Sequence, residues 1–168
     1  VGGHSARLQA LEVGKVQGTM VNTLTMMIGQ KNGNIKVLAN IAKEFPRLGY
    51  VMYTAQTSSL TDPAMYKAWE TFIQGSIVGA RLIQKDPERA AQILSKRAPD
   101  LPADLVLVVI KELNANNVWG VDGGMDPEMV RFTSDAMTQW KMIDKPLKAE
   151  DVIDDRFVKS ALANLSKS

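Results

Sequence analysis

Apolar residues recur every three to four positions through most of the chain. The longest such series is Met65, Ala68, Trp69, Phe72, Ile73, Ile77, Ala80 and Ile83. That spacing turns one face of a helix toward a core. The series opens at Asp62-Pro63, and the same pair recurs at Asp86-Pro87 and Asp126-Pro127. Aspartate caps a helix by accepting a first-turn N–H. Proline suits the first helical position, where its missing N–H costs nothing. Each pair therefore predicts a helix start. The second helix runs to about Lys96, with Ala90, Ala91, Ile93 and Leu94 apolar. The third runs to about Met142 through Met129, Val130, Phe132, Met137 and Trp140. Between them, Leu105 to Ile110 is an unbroken apolar run that periodicity alone does not assign. Pro102-Ala103-Asp104 before it and Lys111-Glu112-Leu113 after it favour a helix. A last amphipathic helix is expected over Asp154–Leu165, carrying Phe157, Val158, Ala161 and Leu162.

The first third alternates. Val1-Gly2-Gly3 reads as a strand end entering a turn, and Ser5 as the cap of a helix that reaches Val13 and stops at Gly14. Gly18 to Asn22 reads as a short buried strand. Thr23 begins a second helix that ends near Asn32-Gly33. Ile35 to Ala42 and Tyr50 to Ala55 have strand composition. The order helix, strand, helix, strand implies crossover units on a parallel sheet. The expected fold class is therefore α/β: short mixed sheets flanked by helices, with the C-terminal two-thirds mostly helical.

Composition narrows the functions. The 168 residues carry a net charge of +2 with both signs interspersed, so no basic face points to nucleic acid. The densest basic run, Arg89 to Arg97, is interleaved with apolar residues at helical spacing and reads as a solvated helix face. Cysteine is absent, which excludes disulfides, thiolate metal sites and cysteine nucleophiles. No apolar run approaches the ~20 residues of a membrane helix. The chain opens on Val-Gly-Gly without an initiator Met or a signal peptide, and is expected to be cut from something longer.

Catalytic chemistry finds little support. The single histidine, His4, has no partner at metal-ligand spacing, and no Gly-x-Ser-x-Gly elbow or P-loop occurs. Glu150-Asp151 and Asp154-Asp155 lie near a helix start, where they complement the helix dipole. The turn Gly2-Gly3-His4-Ser5 is richer. Its glycines allow close backbone approach, and it leads into a helix whose first N–H groups form an anion site. Ser5 offers a hydroxyl, His4 a ring N–H, and Arg7 a charge that reaches back. A plain strand-to-helix turn explains the same residues. Asn22-Thr23 stands at a second strand-to-helix junction, with helix capping as the alternative. Tyr50, Tyr53 and Thr54 combine aromatic surface with polar tips, as a cleft wall does. The candidate ligand-binding residues are Gly3, His4, Ser5, Asn22 and Thr23, then Arg7 and Tyr53. No catalytic residue, metal ligand or cofactor is expected.

The run Ala6-Arg7-Leu8-Gln9-Ala10-Leu11-Glu12-Val13-Gly14-Lys15-Val16-Gln17-Gly18-Thr19-Met20 resembles a segment of ABC-importer solute-binding proteins. The branch is the one that serves nitrate, taurine, alkanesulfonates and thiamine-pyrimidine precursors. Ile35-Lys36-Val37-Leu38, Tyr50-Val51-Met52-Tyr53, Asp86-Pro87-Glu88-Arg89-Ala90-Ala91 and Asp151-Val152-Ile153-Asp154 with Phe157-Val158 resemble further segments, in order. Gln17 departs from the family, which often has Asp there. The resemblance implies the C-terminal part of a two-lobed type 2 periplasmic-binding-protein fold. Residues 1–45 would belong to lobe two, 46–57 to a hinge or crossover strand, and 58–168 to the returning helical part of lobe one. It also implies a non-enzymatic role: capturing a carboxylate, sulfonate or heterocycle in the periplasm, or at a membrane anchor, for an ABC permease. With one cleft wall missing, the chain alone is expected to bind weakly or not at all, and its open strand edges to self-associate or exchange strands. A pyrimidine-precursor-forming enzyme of the same fold is one alternative, though it would need a cysteine-rich iron segment that is absent. A ligand-sensing module is the other.

Overall fold

The computed structural model describes residues 2–33, 35–49 and 51–166. The readings placed on Val1 and Tyr50 lie outside the described residues. Among the described residues the elements are helical: α1 (His4–Glu12), α2 (Thr23–Lys31), α3 (Ile41–Glu44), a 3-10 turn (Thr57–Leu60), α4 (Pro63–Lys85), α5 (Pro87–Arg97), α6 (Ala103–Ala115), α7 (Pro127–Gln139), α8 (Ala149–Val152) and α9 (Arg156–Leu165). No strand and no sheet occur among them, so the α/β expectation is overturned: the fold is all-helical.

The physical reason lies in the three stretches expected as strands. Residues 18–22, 35–40 and 51–55 are irregular and largely exposed, with Leu38 92% and Val51 79% exposed. Their composition suits a strand, but β-propensity expresses packing on a pleated, half-buried surface, and a strand exists only with a neighbour. None of the three finds one. Ile41 and Ala42 leave the expected strand altogether and enter α3. There Asn40 Oδ1 accepts from the backbone N–H of Ala42 at 3.1 Å and of Lys43 at 3.3 Å.

The helix starts follow local chemistry. Asp62 Oδ1 accepts from Ala64 N at 2.9 Å, Asp86 Oδ1 from Arg89 N at 3.0 Å and Asp126 Oδ1 from Glu128 N at 2.9 Å. All three Asp-Pro pairs thus cap as expected, and Leu105 to Ile110 is helical within α6. The stops at Gly14 (φ 72°) and Gly33 (φ 81°) use the left-handed backbone that glycine adopts without a Cβ penalty. Helix α7 ends before Met142, because Lys141 turns left-handed at φ 57°.

The chain divides into two units. The first joins Val1–Glu44 to Asp86–Asn117. In it α1 packs on α2, α2 on α6, and α5 on α6. Leu8, Ala90, Ala91, Val106 and Ile110 are buried, together with Thr25. Gly29 is where α2 passes under its neighbours. A Cβ there would lie 2.7 Å from Leu8 Cδ1 and 2.6 Å from Ile35 Cδ1. The second unit joins Phe45–Lys85 to Val118–Ser168. Its centre is α4 against α9, with Ile77, Phe157 and Ala161 buried and the Tyr66 ring 4.7 Å from that of Phe157. Ser160 on α9 donates a hydrogen bond to Glu70 on α4. From α7, Ser134 Oγ accepts from Leu147 N at 2.6 Å, and Thr133 Oγ1 accepts from Gly49 N at 2.8 Å.

Candidate functional site

The residues singled out near the N-terminus come together in the first unit, through Arg7. Its Nε donates to the Gly2 carbonyl at 3.1 Å and its Nη1 to the Met20 carbonyl at 3.3 Å. One side chain therefore ties the entry of α1 to the segment that leads into α2. Arginine suits this task because its planar fork presents several donors in fixed directions, and it stays charged.

At α1 the cap is Gly3, not Ser5. The helix begins at His4, which puts Ser5 inside the first turn. Gly3 has no side chain to accept from the turn, so the N–H groups of Ser5 and Ala6 have no acceptor among the described residues. At α2 the cap is Asn22, whose Oδ1 accepts from Thr25 N at 2.9 Å. Thr23 is the first helical residue. The N–H groups of Thr23 and Leu24 are left without an acceptor among the described residues. Open N–H groups at a helix start carry the positive end of the dipole and draw anions. His4 is half-buried, and among the described residues its buried Nδ1 has no hydrogen-bond partner. Leaving such an atom unpaired costs on the order of 1–3 kcal/mol.

Tyr53 does not join this group. It belongs to the second unit, where its exposed ring meets Phe72 edge-on at 4.9 Å. Thr54 is exposed in the same irregular stretch. Trp69 is half-buried, and its Nε1 donates to Ser59 Oγ at 3.3 Å. The indole N–H of Trp119 is buried and has no partner among the described residues.

The perturbed titrations lie elsewhere and serve structure. Hydrogen bonds from Lys67 and then Ser160 hold the Glu70 carboxyl below its ordinary range. Lys111 does the same for Glu88, and Arg156 for Asp154. Among the described residues no group of three or more His, Cys, Asp or Glu could hold a metal ion, and no helix is long and apolar enough to cross a membrane.

Two open grooves accompany these features. One of about 410 Å³ in the first unit lies between α2 and α6, lined by Met27, Lys31, Asp104 and Val108. It sits toward the C-terminal half of α2, away from Asn22 and Thr23. The other, of about 390 Å³, lies in the second unit between α7 and the turn at Phe45–Leu48. Neither is lined by a residue singled out from sequence as a ligand contact, and neither grouping was foreseeable from it. No protein family, curated protein or solved structure matches the chain.

Proposed function

We propose that the chain is the substrate-binding component of an ABC importer, or the part of one that captures a small anionic or polar organic solute for a membrane permease. The observation that carries this reading is the double tie of Arg7. It draws together the entries of two helices that both offer unpaired N–H donors, beside a permanent positive charge. A carboxylate or sulfonate is the complementary group. Ser5 adds a hydroxyl, and a polar ligand atom would give His4 Nδ1 the partner it lacks. The resemblance of Ala6–Met20, Asp86–Ala91 and Asp151–Val158 is what suggests the importer role; Ile35–Leu38 and Val51–Tyr53, which resemble family strands, form none and lend it no support.

The test is an amide-resolved NMR titration of the 168-residue chain with ethanesulfonate, benzoate and a hydroxymethylpyrimidine, which reads even millimolar binding. One of these should move Ser5, Ala6, Thr23 and Leu24 saturably, and Arg7→Ala should remove the response. Shifts no larger than those from sodium chloride would sink the reading. So would an unchanged response in Arg7→Ala. Delivery is checked by uptake of the matched solute in cells lacking the gene, which should fall.

A further inference from the structure

The groove of the second unit has a composition that the anion site lacks. One wall is the face of α7 that carries Phe132, Asp135, Gln139 and, at its end, Trp140. The other is the turn Phe45–Leu48, closed by Leu48 N donating to the Phe45 carbonyl at 3.0 Å. The Gly49–Thr133 hydrogen bond at 2.8 Å pins that turn to α7. Three aromatic rings thus border one space: Phe45 44%, Phe132 40% and Trp140 55% exposed. Among the described residues none of the three stacks on another ring or receives a cation. Among the described residues Asp135 has no ion pair, although Arg47 and Lys141 stand next in sequence to lining residues.

We propose that this groove binds a small organic ammonium ion, quaternary or otherwise substituted with apolar groups. The rings offer negative quadrupole faces, which attract a cation whose hydration is weak. Asp135 supplies the one formal charge in the lining, and it is negative. An anion would meet that carboxylate unpaired. A neutral apolar molecule would cover it and leave it desolvated without compensation. An ammonium with methyl or larger substituents satisfies both parts: its apolar surface lies against Phe45, Phe132 and Trp140, and its charge faces Asp135. The volume, about 390 Å³, is within the range of small-ligand sites. The site is independent of the anion-binding reading, since it uses other residues in the other unit.

The test compares choline with its neutral carbon isostere, 3,3-dimethylbutan-1-ol, on the nitrogen-15-labelled chain. The readout is the indole N–H signal of Trp140, assigned with Trp140→Phe, at matched ionic strength. Choline should shift this signal saturably and bind at least about fivefold tighter than the isostere. Asp135→Asn should weaken choline by about fivefold and leave the isostere unchanged. Position 135 is exposed, and an unchanged amide spectrum elsewhere shows that the variant is folded. Equal affinity for the two probes overturns the proposal. So does choline binding that is indifferent to Asp135→Asn, or a Trp140 signal that choline does not move.

Discussion

Truncating Ile77 to alanine should remove about 3–4 kcal/mol of stability. Among the described residues Ile77 is the largest side chain that is fully buried, at 2% exposure on α4. Against it lies the turn at Gly123, where a Cβ would stand 3.5 Å from Ile77 Cδ1 and 3.3 Å from Val158 Cγ1 on α9. Alanine deletes three carbons, whose transfer out of water is worth ~0.8 kcal/mol each, or about 2.4 kcal/mol together. A cavity term is added where the surroundings cannot collapse. They are held here. Gly123 and Gly124 sit at φ 68° and 81°, and Arg81 Nε donates to Asp122 Oδ1 at 2.8 Å, fixing the turn to α4. A further ~1 kcal/mol is therefore expected.

Ile77→Val deletes one carbon and should cost about 1 kcal/mol. Urea unfolding followed by far-UV circular dichroism gives both values. Hydrogen exchange at α4 and α9 amides shows where protection falls. A loss of 3–4 kcal/mol is a large share of a typical domain's stability, so the alanine variant can fail to fold; the valine variant then still reports the slope. A cost below 1 kcal/mol for alanine, or equal costs for the two variants, would refute the placement of Ile77 in the core.

Other perturbations probe the caps, the turns and the charges. Asp86→Ala should cost about 1 kcal/mol by urea unfolding, because Arg89 N loses its acceptor, while Asp86→Asn should retain most of the cap. Gly123→Ala combines a left-handed backbone with a close Val158 contact and should cost about 1–2 kcal/mol or more in the same assay. The carboxyls of Glu70, Glu88 and Asp154 titrate below their ordinary values, so their contribution is present above the unfolded-state pKa. It should be lost as pH falls below about 4.3 for the two glutamates, and below about 3.9 for Asp154, toward the lower folded values. The urea midpoint should drop on acidification through that window, and Glu70→Gln should flatten part of the drop.

What the sequence made legible was what neighbouring residues decide among themselves. The Asp-Pro caps depend on one carboxylate and an N–H two or three positions on, and all three were readable. Leu105 to Ile110 was assigned as helix from its flanks, and α6 agrees. The strand expectations failed because a strand is a relation between distant segments. Val37, Leu38, Val51 and Tyr53 have the right side chains and no partner ladder. The proposed anion site was half readable. Arg7 reaching back to Gly2 spans five residues, which local reasoning covers; its second bond, to Met20, spans thirteen and was missed. The cap of α1 was misplaced by two residues, Gly3 for Ser5, while Thr23 opens α2 as expected, behind the cap Asn22.

The aromatic groove was beyond local reading for a definable reason. Phe132, Asp135 and Gln139 recur at helical spacing, so one face of α7 could be drawn in advance. What makes that face a groove is the turn at Phe45–Leu48, held by the Gly49–Thr133 bond across 84 residues. The two candidate sites then follow opposite electrostatic logic. In the first unit, open helix N–H groups and a guanidinium favour negative charge; in the second, a carboxylate among rings favours positive charge. A sulfonate should move Ser5 and Thr23 amides and leave the Trp140 indole in place, and choline should do the reverse. A probe of either sign that moved both sets equally would mean that neither is selected by the charges named here, and that general apolar or ionic-strength effects govern both.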